Sequence, residues 1–365
     1  MNFLLYLFIA CCIYQIAYQL VLLTAIVRHK NNSASQPVNN SIIPSVSVII
    51  CAKNETENLQ KNLPVILNQH YPDFEVILVD DGSDEQITIT DERLTIITLS
   101  KEEKIGLGKK YALQKGIEAA KKELILLTDA DCWPVSENWI SEMANCITEE
   151  KKIVLGISPY KTESSFLNGL IEYETAQTAL QYLGFALVGN PYMSVGRNVL
   201  YNAVLLKSKK WSAEELSIAS GDDDLAIQSL ATKDNTAVCL SKESFTISEP
   251  KKTWKDWIQQ KLRHYESGSL YKLSHRMQLG AYLFTKLLTY ACLFYLLFSD
   301  SNEKNISAGI FFFYFISITL LNLSLDYFLH LNKRWYFSLL NDILYCIFTV
   351  TLGMWSQLKP VKKWK

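Results

Sequence analysis

LILLTDADCW (residues 124–133) and VILVDDGSDE (residues 76–85) decide how this chain folds. Each is a run of Val, Ile and Leu that stops at aspartate. Runs this short and this apolar read as strands buried on both faces, the habit of mostly parallel sheets covered by helices. Open α/β sheets hold their ligands beyond the carboxyl ends of the strands. Asp80, Asp81, Asp129 and Asp131 therefore stand where a site belongs. Asp-Gly is also an ordinary turn signal, so either cluster alone reads equally well as a turn. Residues two apart in extended chain share a face, which lets Asp129 and Asp131 meet one ion together. Two carboxylates, completed by diphosphate oxygens and water, suit Mg2+ or Mn2+.

The same pattern extends on either side. Val46 to Cys51, Glu75 to Val79, Leu94 to Leu99 and Leu124 to Thr128 read as strands, with helices over Glu57 to Leu67 and Gly108 to Ala120. A central α/β domain is expected over 46–250, behind an Asn-, Ser- and Pro-rich linker at 31–45. The chain ends are of another kind. Phe3 to Val27 is apolar and is followed by Arg28, His29 and Lys30, so 1–30 reads as a retained transmembrane anchor with its basic end inside. Leu279 to Phe298, Ile306 to Leu329 and Tyr336 to Trp355 form a second apolar region at 279–358, of two or three crossings. An outside N-terminus and four crossings would put the C-terminus outside. The tail 359–365 carries four lysines, which prefer the inside. That conflict marks Tyr336 to Trp355, with Asn341 and Asp342 inside it, as a run that lies in the interface or re-enters. Asn322, Asp326, Asn341 and Asp342 are the polar residues noted in these runs.

A net charge of -1 gives no general attraction to nucleic acid. The eight cysteines show no C-x-x-C pairing and the five histidines are scattered, which argues for buried thiols and against a zinc centre.

With these residues in hand, the chain resembles the membrane-bound branch of the inverting family 2 glycosyltransferases of GT-A fold, which includes polysaccharide synthases and ceramide glucosyltransferase. The resemblance runs from Val46 through Tyr265. VSVIICAKNE looks like the first strand and nucleotide-facing loop, with Glu55 at its end. VDDGS resembles the motif that contacts base or ribose, through Asp81 with Asp80 beside it. DAD at 129–131 resembles the metal and diphosphate motif, and GLGKKYALQKGI offers Lys109 near the diphosphate; a solvated lysine is the plain alternative. SGDDDLAIQSL resembles the motif of the catalytic base. Asp223 is the matching residue, with Asp222 and Asp224 as neighbours one step away, and three carboxylates before a helix also suit its N-terminus. QQKLRH resembles a Q-x-x-R-W signature at Gln260, Arg263 and His264, with histidine replacing tryptophan. The segment 251–278 that holds it, with Trp254 and Trp257, then reads as an amphipathic interfacial helix. The segment FALVGNPYMSVGRNVLYN, with Gly189, Gly196 and nearby Asn and Tyr residues, suits a sugar pocket or plain loop packing.

The resemblance implies a multi-pass protein of the plasma (cytoplasmic) membrane whose catalytic domain faces the cytosol. It implies transfer from a nucleotide diphosphate-sugar donor to a lipid or glycan acceptor at the bilayer, with a divalent cation and an Asp base. A processive synthase that exports its product, an inactive scaffold and a nucleotidyltransferase are the competing readings.

Overall fold

The computed structural model describes residues 3–33, 43–85, 87–100, 108–298, 303–331 and 338–358. The basic tail and residues 34–42 of the expected linker lie outside the described residues.

The chain opens on helix α1 (Phe3–Ser33) and then enters a sheet. Strand β1 (Val46–Ala52), helix α2 (Thr56–Leu67), β2 (Phe74–Asp80), β3 (Leu94–Thr98), α3 (Lys110–Ala119) and β4 (Leu124–Asp129) follow in turn. Next come β5 (Cys132–Pro134), α4 (Trp139–Ala144), β6 (Ile153–Leu155), the long helix α5 (Phe166–Leu187) and β7 (Val199–Asn202). Short helices α6 (Ala203–Lys207), α7 (Ala213–Leu216) and α8 (Asp224–Leu230) precede β8 (Thr236–Val238) and β9 (Thr246–Ser248). Four helices close the chain: α9 (Trp254–Glu266), α10 (Leu273–Phe298), α11 (Lys304–Phe328) and α12 (Ser338–Leu358).

Seven strands pair in the order β3-β2-β1-β4-β7-β6-β8, and β5 pairs with β9 apart from them. β3, β2, β1 and β4 run parallel, and β7 is antiparallel to both its neighbours. The expected mostly parallel sheet is present, with β7 as the reversed strand. All seven residues of β1 are buried because both faces are covered. Val46, Val48 and Ile50 pack with Leu59, Leu63 and Ile66 of α2 and with Trp139 of α4. Ile49 and Cys51 face the other way, toward Leu113 and Ile117 of α3 and Leu180 and Leu183 of α5. Period-2 alternation thus builds two cores from one strand. The second core also takes in Leu22, Leu23 and Ile26 of α1. A Cβ on Gly184 of α5 would stand 2.7 Å from Leu22 Cβ, so glycine is what lets α1 lie this close.

Helices α1, α10, α11 and α12 are each long and apolar enough to cross a membrane. The run expected to lie flat or re-enter supplies a helix of 21 residues, Ser338–Leu358. Its single charge is met internally, while the buried Asn341 Oδ1 has no protein partner. Asp342, 2% exposed, accepts from Lys286 on α10, from Tyr290 on α10 and from Tyr173 on α5. Lys286 is fully buried and was overlooked in the sequence because it sits within an otherwise apolar run. Gln15 of α1 donates to the Tyr282 carbonyl and to Thr285, at 2.8 and 2.7 Å. Gln177 of α5 donates to Asn322 of α11 at 2.9 Å. Polar links therefore fasten the apolar helices to one another and to α5.

Removing one member of a buried pair strands the other charge, at a cost of about 3–5 kcal/mol, whereas replacing both by apolar groups is often neutral. Asp342→Ala is thus expected to lower the thermal unfolding midpoint of the detergent-solubilised protein markedly. The double variant Lys286→Met/Asp342→Leu should recover most of that loss. Equal midpoints for parent and Asp342→Ala would show that the pair holds nothing together.

Candidate active site

Beyond the carboxyl ends of β1 and β4 lies a cavity of about 550 Å³. Cys51, Glu55, Lys109, Asp129, Asp131, Arg197, Asp222, Asp223, Asp224, Gln260, Arg263 and His264 are among the residues that line it. Segments far apart in sequence are brought together by strand order. β4 lies between β1 and β7, so the DAD segment faces both the loop after β1 and the loop before β7.

Lys109 caps the start of α3 and reaches two carboxylates, Asp129 Oδ1 at 2.7 Å and Asp222 Oδ2 at 3.1 Å. Burial works to raise Asp129, but Lys109, with Arg197 and Arg263 further off, makes the net displacement downward. Asp131 is raised, first by burial and then by Asp129 beside it. The adjacent lysine has another task. Lys110, 1% exposed, donates to the carbonyls of Ile218 (2.8 Å) and Ser220, holding the approach to the acidic trio. Gly108 before them has φ +73° and a missing Cβ that would stand 2.0 Å from the Ala219 carbonyl oxygen, so the same approach requires glycine there.

The three acids of the trio part ways. Asp222 pairs with Lys109. Asp223 Oδ2 accepts from the Gly196 amide at 2.6 Å, and its Oδ1 accepts from the amide of Asp224 at 3.0 Å. Burial, followed by Asp222, pushes its carboxyl up to about 6. Asp224 Oδ2 accepts from Ser267 (3.0 Å) and Tyr271 (2.5 Å), and burial raises it well above the usual carboxylate range. Held that way, Asp224 ties α8 to the chain after α9.

Gln260, Arg263 and His264 reach the cavity from α9. That helix is capped by Thr253, whose hydroxyl accepts from the Asp256 amide at 3.2 Å. It packs on α12 through Trp254 and Trp257, whose rings lie 5.7 and 5.1 Å from that of Phe348. Lys261 pairs with Glu174 of α5 at 2.7 Å. Gln260 Nε2 lies 3.4 Å from the Tyr160 hydroxyl. Burial lowers Arg263, with Asp222 and Asp129 opposing that shift. Burial, with Lys261 and Arg263 nearby, holds His264 neutral.

The structure does not bring every expected residue to the cavity. Asp80 and Asp81 are outside its lining. Asp80 Oδ1 accepts from the Ser83 amide (3.0 Å) and hydroxyl (2.5 Å), the work of a turn former. Asp81 lies 3.9 Å from Lys53. Glu55 does line the cavity and accepts from Asn58. Sequence reasoning missed Lys110, the Glu174–Lys261 pair and Arg197. The signal for Arg197 was available, since it is the one charged residue between Glu174 and Lys207.

Asp129, Asp131 and Cys132 offer ligand atoms within 4.8 Å of one another. Burial and the two aspartates push the Cys132 thiol well up, so it stays protonated and donates toward Asp131 at 3.4 Å. Two crowded oxygen donors remain. A hard divalent cation would relieve both their mutual repulsion and the cost of burying them, so the residues fit Mg2+ or Mn2+.

Residues 47–205 match the family described as Glycosyl transferase family 2, and they form a domain of that family. A glycosyltransferase AglE of Haloferax volcanii is 32% identical over 117 residues, 30% of this chain and 37% of that protein. A poly-β-1,6-N-acetyl-D-glucosamine synthase of Staphylococcus epidermidis is 28% identical over 132 residues, 36% of this chain and 32% of that one. The chain spans less than half the length of these relatives. The mannosyltransferase PcManGT of Pyrobaculum calidifontis, solved with GDP-Man and Mn2+, superposes with a TM-score of 0.57 over 96% of this chain and 99% of its own, at 16% identity. The fold is therefore GT-A with apolar helices at both ends.

Asp131→Ala removes one of the two carboxylates that would hold such a cation. Loss of a mere supporting contact commonly costs metal sites roughly 10–100-fold in affinity, and loss of a ligand should cost at least that. Mn2+ titration followed by electron paramagnetic resonance should show the drop in a folded variant. Parent-like Mn2+ binding would remove Asp131 from the metal site.

Proposed function

We propose that the protein transfers a sugar from a nucleotide diphosphate-sugar to the hydroxyl of an acceptor delivered from the membrane, a lipid or lipid-linked glycan, with inversion at the anomeric carbon. The observation that carries this reading is the shape of the cavity. The wall that holds Asp129, Asp131 and Asp223 is continuous with one formed by Leu279, Tyr282 and Leu283 of α10 and Tyr345 and Thr349 of α12. An amphiphile seated against those helices would place its polar head at the carboxylates. On this reading α1 is an anchor, 46–250 is the cytosolic catalytic domain, 251–278 is an interfacial segment and 279–358 is embedded.

Asp223 takes the proton of the acceptor hydroxyl while that oxygen attacks the anomeric carbon. The bond from that carbon to the diphosphate oxygen breaks, and the pair of electrons leaves with the nucleoside diphosphate. Arg263 and Lys109 stabilise the charge that builds there. A divalent cation at Asp129 and Asp131 would supply further neutralisation. The amides of Gly196 and Asp224 hold the Asp223 carboxylate still without consuming its remaining lone pairs. Two relatives, the Staphylococcus synthase and a chondroitin synthase of Pasteurella multocida 32% identical over 164 residues, bear the names of polymer-forming enzymes. The buried Lys286–Asp342 pair stands among the helices that a polymer path would have to part, which favours a nonprocessive product.

Asp223→Asn keeps volume and polarity but not basicity, so single-turnover transfer at saturating substrates should fall roughly 10²–10⁴-fold. Donor affinity should be unchanged. Transfer at the parent rate, with loss instead in Asp222→Asn, would move the base one residue. Normal transfer in both would end the proposed chemistry. The charged and titratable groups around Asp223 are Asp222, Asp224, Lys109, Lys110 and Tyr201. Because the base acts deprotonated, the parent rate should be full well above pH 6, half-maximal near 6 and fall tenfold per unit well below it. Asp223→Asn should lose that limb. A limb near the ordinary aspartate value would contradict the assignment.

A further inference from the structure

Arg197 enters the cavity on the loop before β7. Its Cζ lies 4.3 Å from the centroid of the Tyr160 ring, and one Nη donates to the Ser158 carbonyl at 3.0 Å. These partners fix the plane of the guanidinium without neutralising it. Its Nε is sealed from solvent and meets no protein acceptor. A ligand in the cavity therefore meets Arg197 through the rest of its side chain, which lines the wall. Asp129 and Asp131 are both within the field of Arg197, which works to lower each of them.

The residues on either side make the position rigid. Asn198 is fully buried, donates to the carbonyls of Ile157 and Ser244 at 2.8 Å each, and accepts from Trp139 Nε1 at 3.0 Å. Gly196 gives its amide to Asp223, and a Cβ there would stand 3.1 Å from Asp223 Oδ2. Three successive residues thus reach the acid of the trio, the cavity and the core.

We propose that Arg197 is an anion-binding residue for the diphosphate of the donor, which its guanidinium meets from the loop before β7 while Arg263 reaches it from α9. A planar fork with fixed donors suits phosphate oxygens. Because Gly196 and Arg197 are adjacent, the same loop fixes the distance between the leaving group and the base. The inference rests on the glycosyltransferase reading and assigns Arg197 a role beyond it.

The test is calorimetric titration of the full-length protein in nanodiscs with UDP, GDP, UMP and GMP in the presence of Mn2+. In Arg197→Gln the preference for the nucleoside diphosphate over its monophosphate should shrink roughly tenfold or more, as expected for one charged hydrogen-bonded contact. Arg197→Lys keeps the charge but not the fork and should lose part of the same preference. If Arg197→Gln does not fold, a narrowed preference in Arg197→Lys supports the role and an unchanged one overturns it. An unchanged preference in folded Arg197→Gln overturns it too, including the case where only the KM for a phosphorylated lipid acceptor rises. Should the parent bind no nucleoside diphosphate with Mn2+ or Mg2+, the glycosyltransferase reading fails and takes this role with it.

Discussion

Negative charge gathered at the ends of buried strands has to be balanced without solvent, and much of the architecture answers to that constraint. Asp129, Asp131, Asp222 and Asp223 converge on one cavity from two distant segments. Repulsion among them is offset by a lysine placed between two of the four and by arginines arriving from the loop before β7 and from α9. Charge in a low-dielectric setting is costly unless paired or hydrogen-bonded. That is why the second lysine of the pair is spent on carbonyls, and why glycines at 108 and 196 let backbone approach where a side chain would intrude. The site is therefore a set of mutual compensations in which removing any member shifts the titration of the rest.

The sheet and the apolar helices are not independent blocks. Helix α5 shares a core with the sheet on one side and meets α1, α11 and α12 on others. Its Tyr173, Glu174 and Gln177 each contact a different element: α12, α9 and α11 in turn. Because successive residues of a helix point in different directions by about 100°, three polar residues in a row of five can serve three neighbours. The domain that holds the carboxylates is thereby keyed to the helices that would lie in the bilayer.

How much of this was legible in the sequence depended on range. The strands β1, β2 and β4 announced themselves because burial on both faces forces a run of Val, Ile and Leu, and the acids that follow them stand out against it. Helix α5 was not anticipated, since its mixed composition carries neither a clear amphipathic stripe nor a turn signal. The reversed direction of β7 is a matter of long-range pairing that no local pattern encodes. At the site, DAD and the acidic trio were readable as clusters, but the division of labour within each was not. Asp80 reads like its neighbour in VDDGS, and only the turn geometry shows it bonded to Ser83. Asp224 reads like Asp223, and only the fold brings Tyr271 and Ser267 to it. Lys286 was hidden because a single lysine hardly alters the hydropathy of a 20-residue window, and its partner lies 56 positions away.

The aromatic seam between α9 and α12 has a mechanical consequence. At about 1.5 Å per residue, α12 is about 32 Å long, close to the roughly 30 Å hydrocarbon thickness of a bilayer. In a membrane that α12 crosses, a thinner or thicker hydrocarbon layer is met by a change of tilt. Phe348 is the part of α12 on which Trp254 and Trp257 of α9 rest, and Arg263 lies less than two turns beyond Trp257 on α9. Acyl-chain length is thus coupled, through three rings, to the side of the cavity from which Arg263 approaches, so the lipid matrix acts on the site as a lever as well as a solvent.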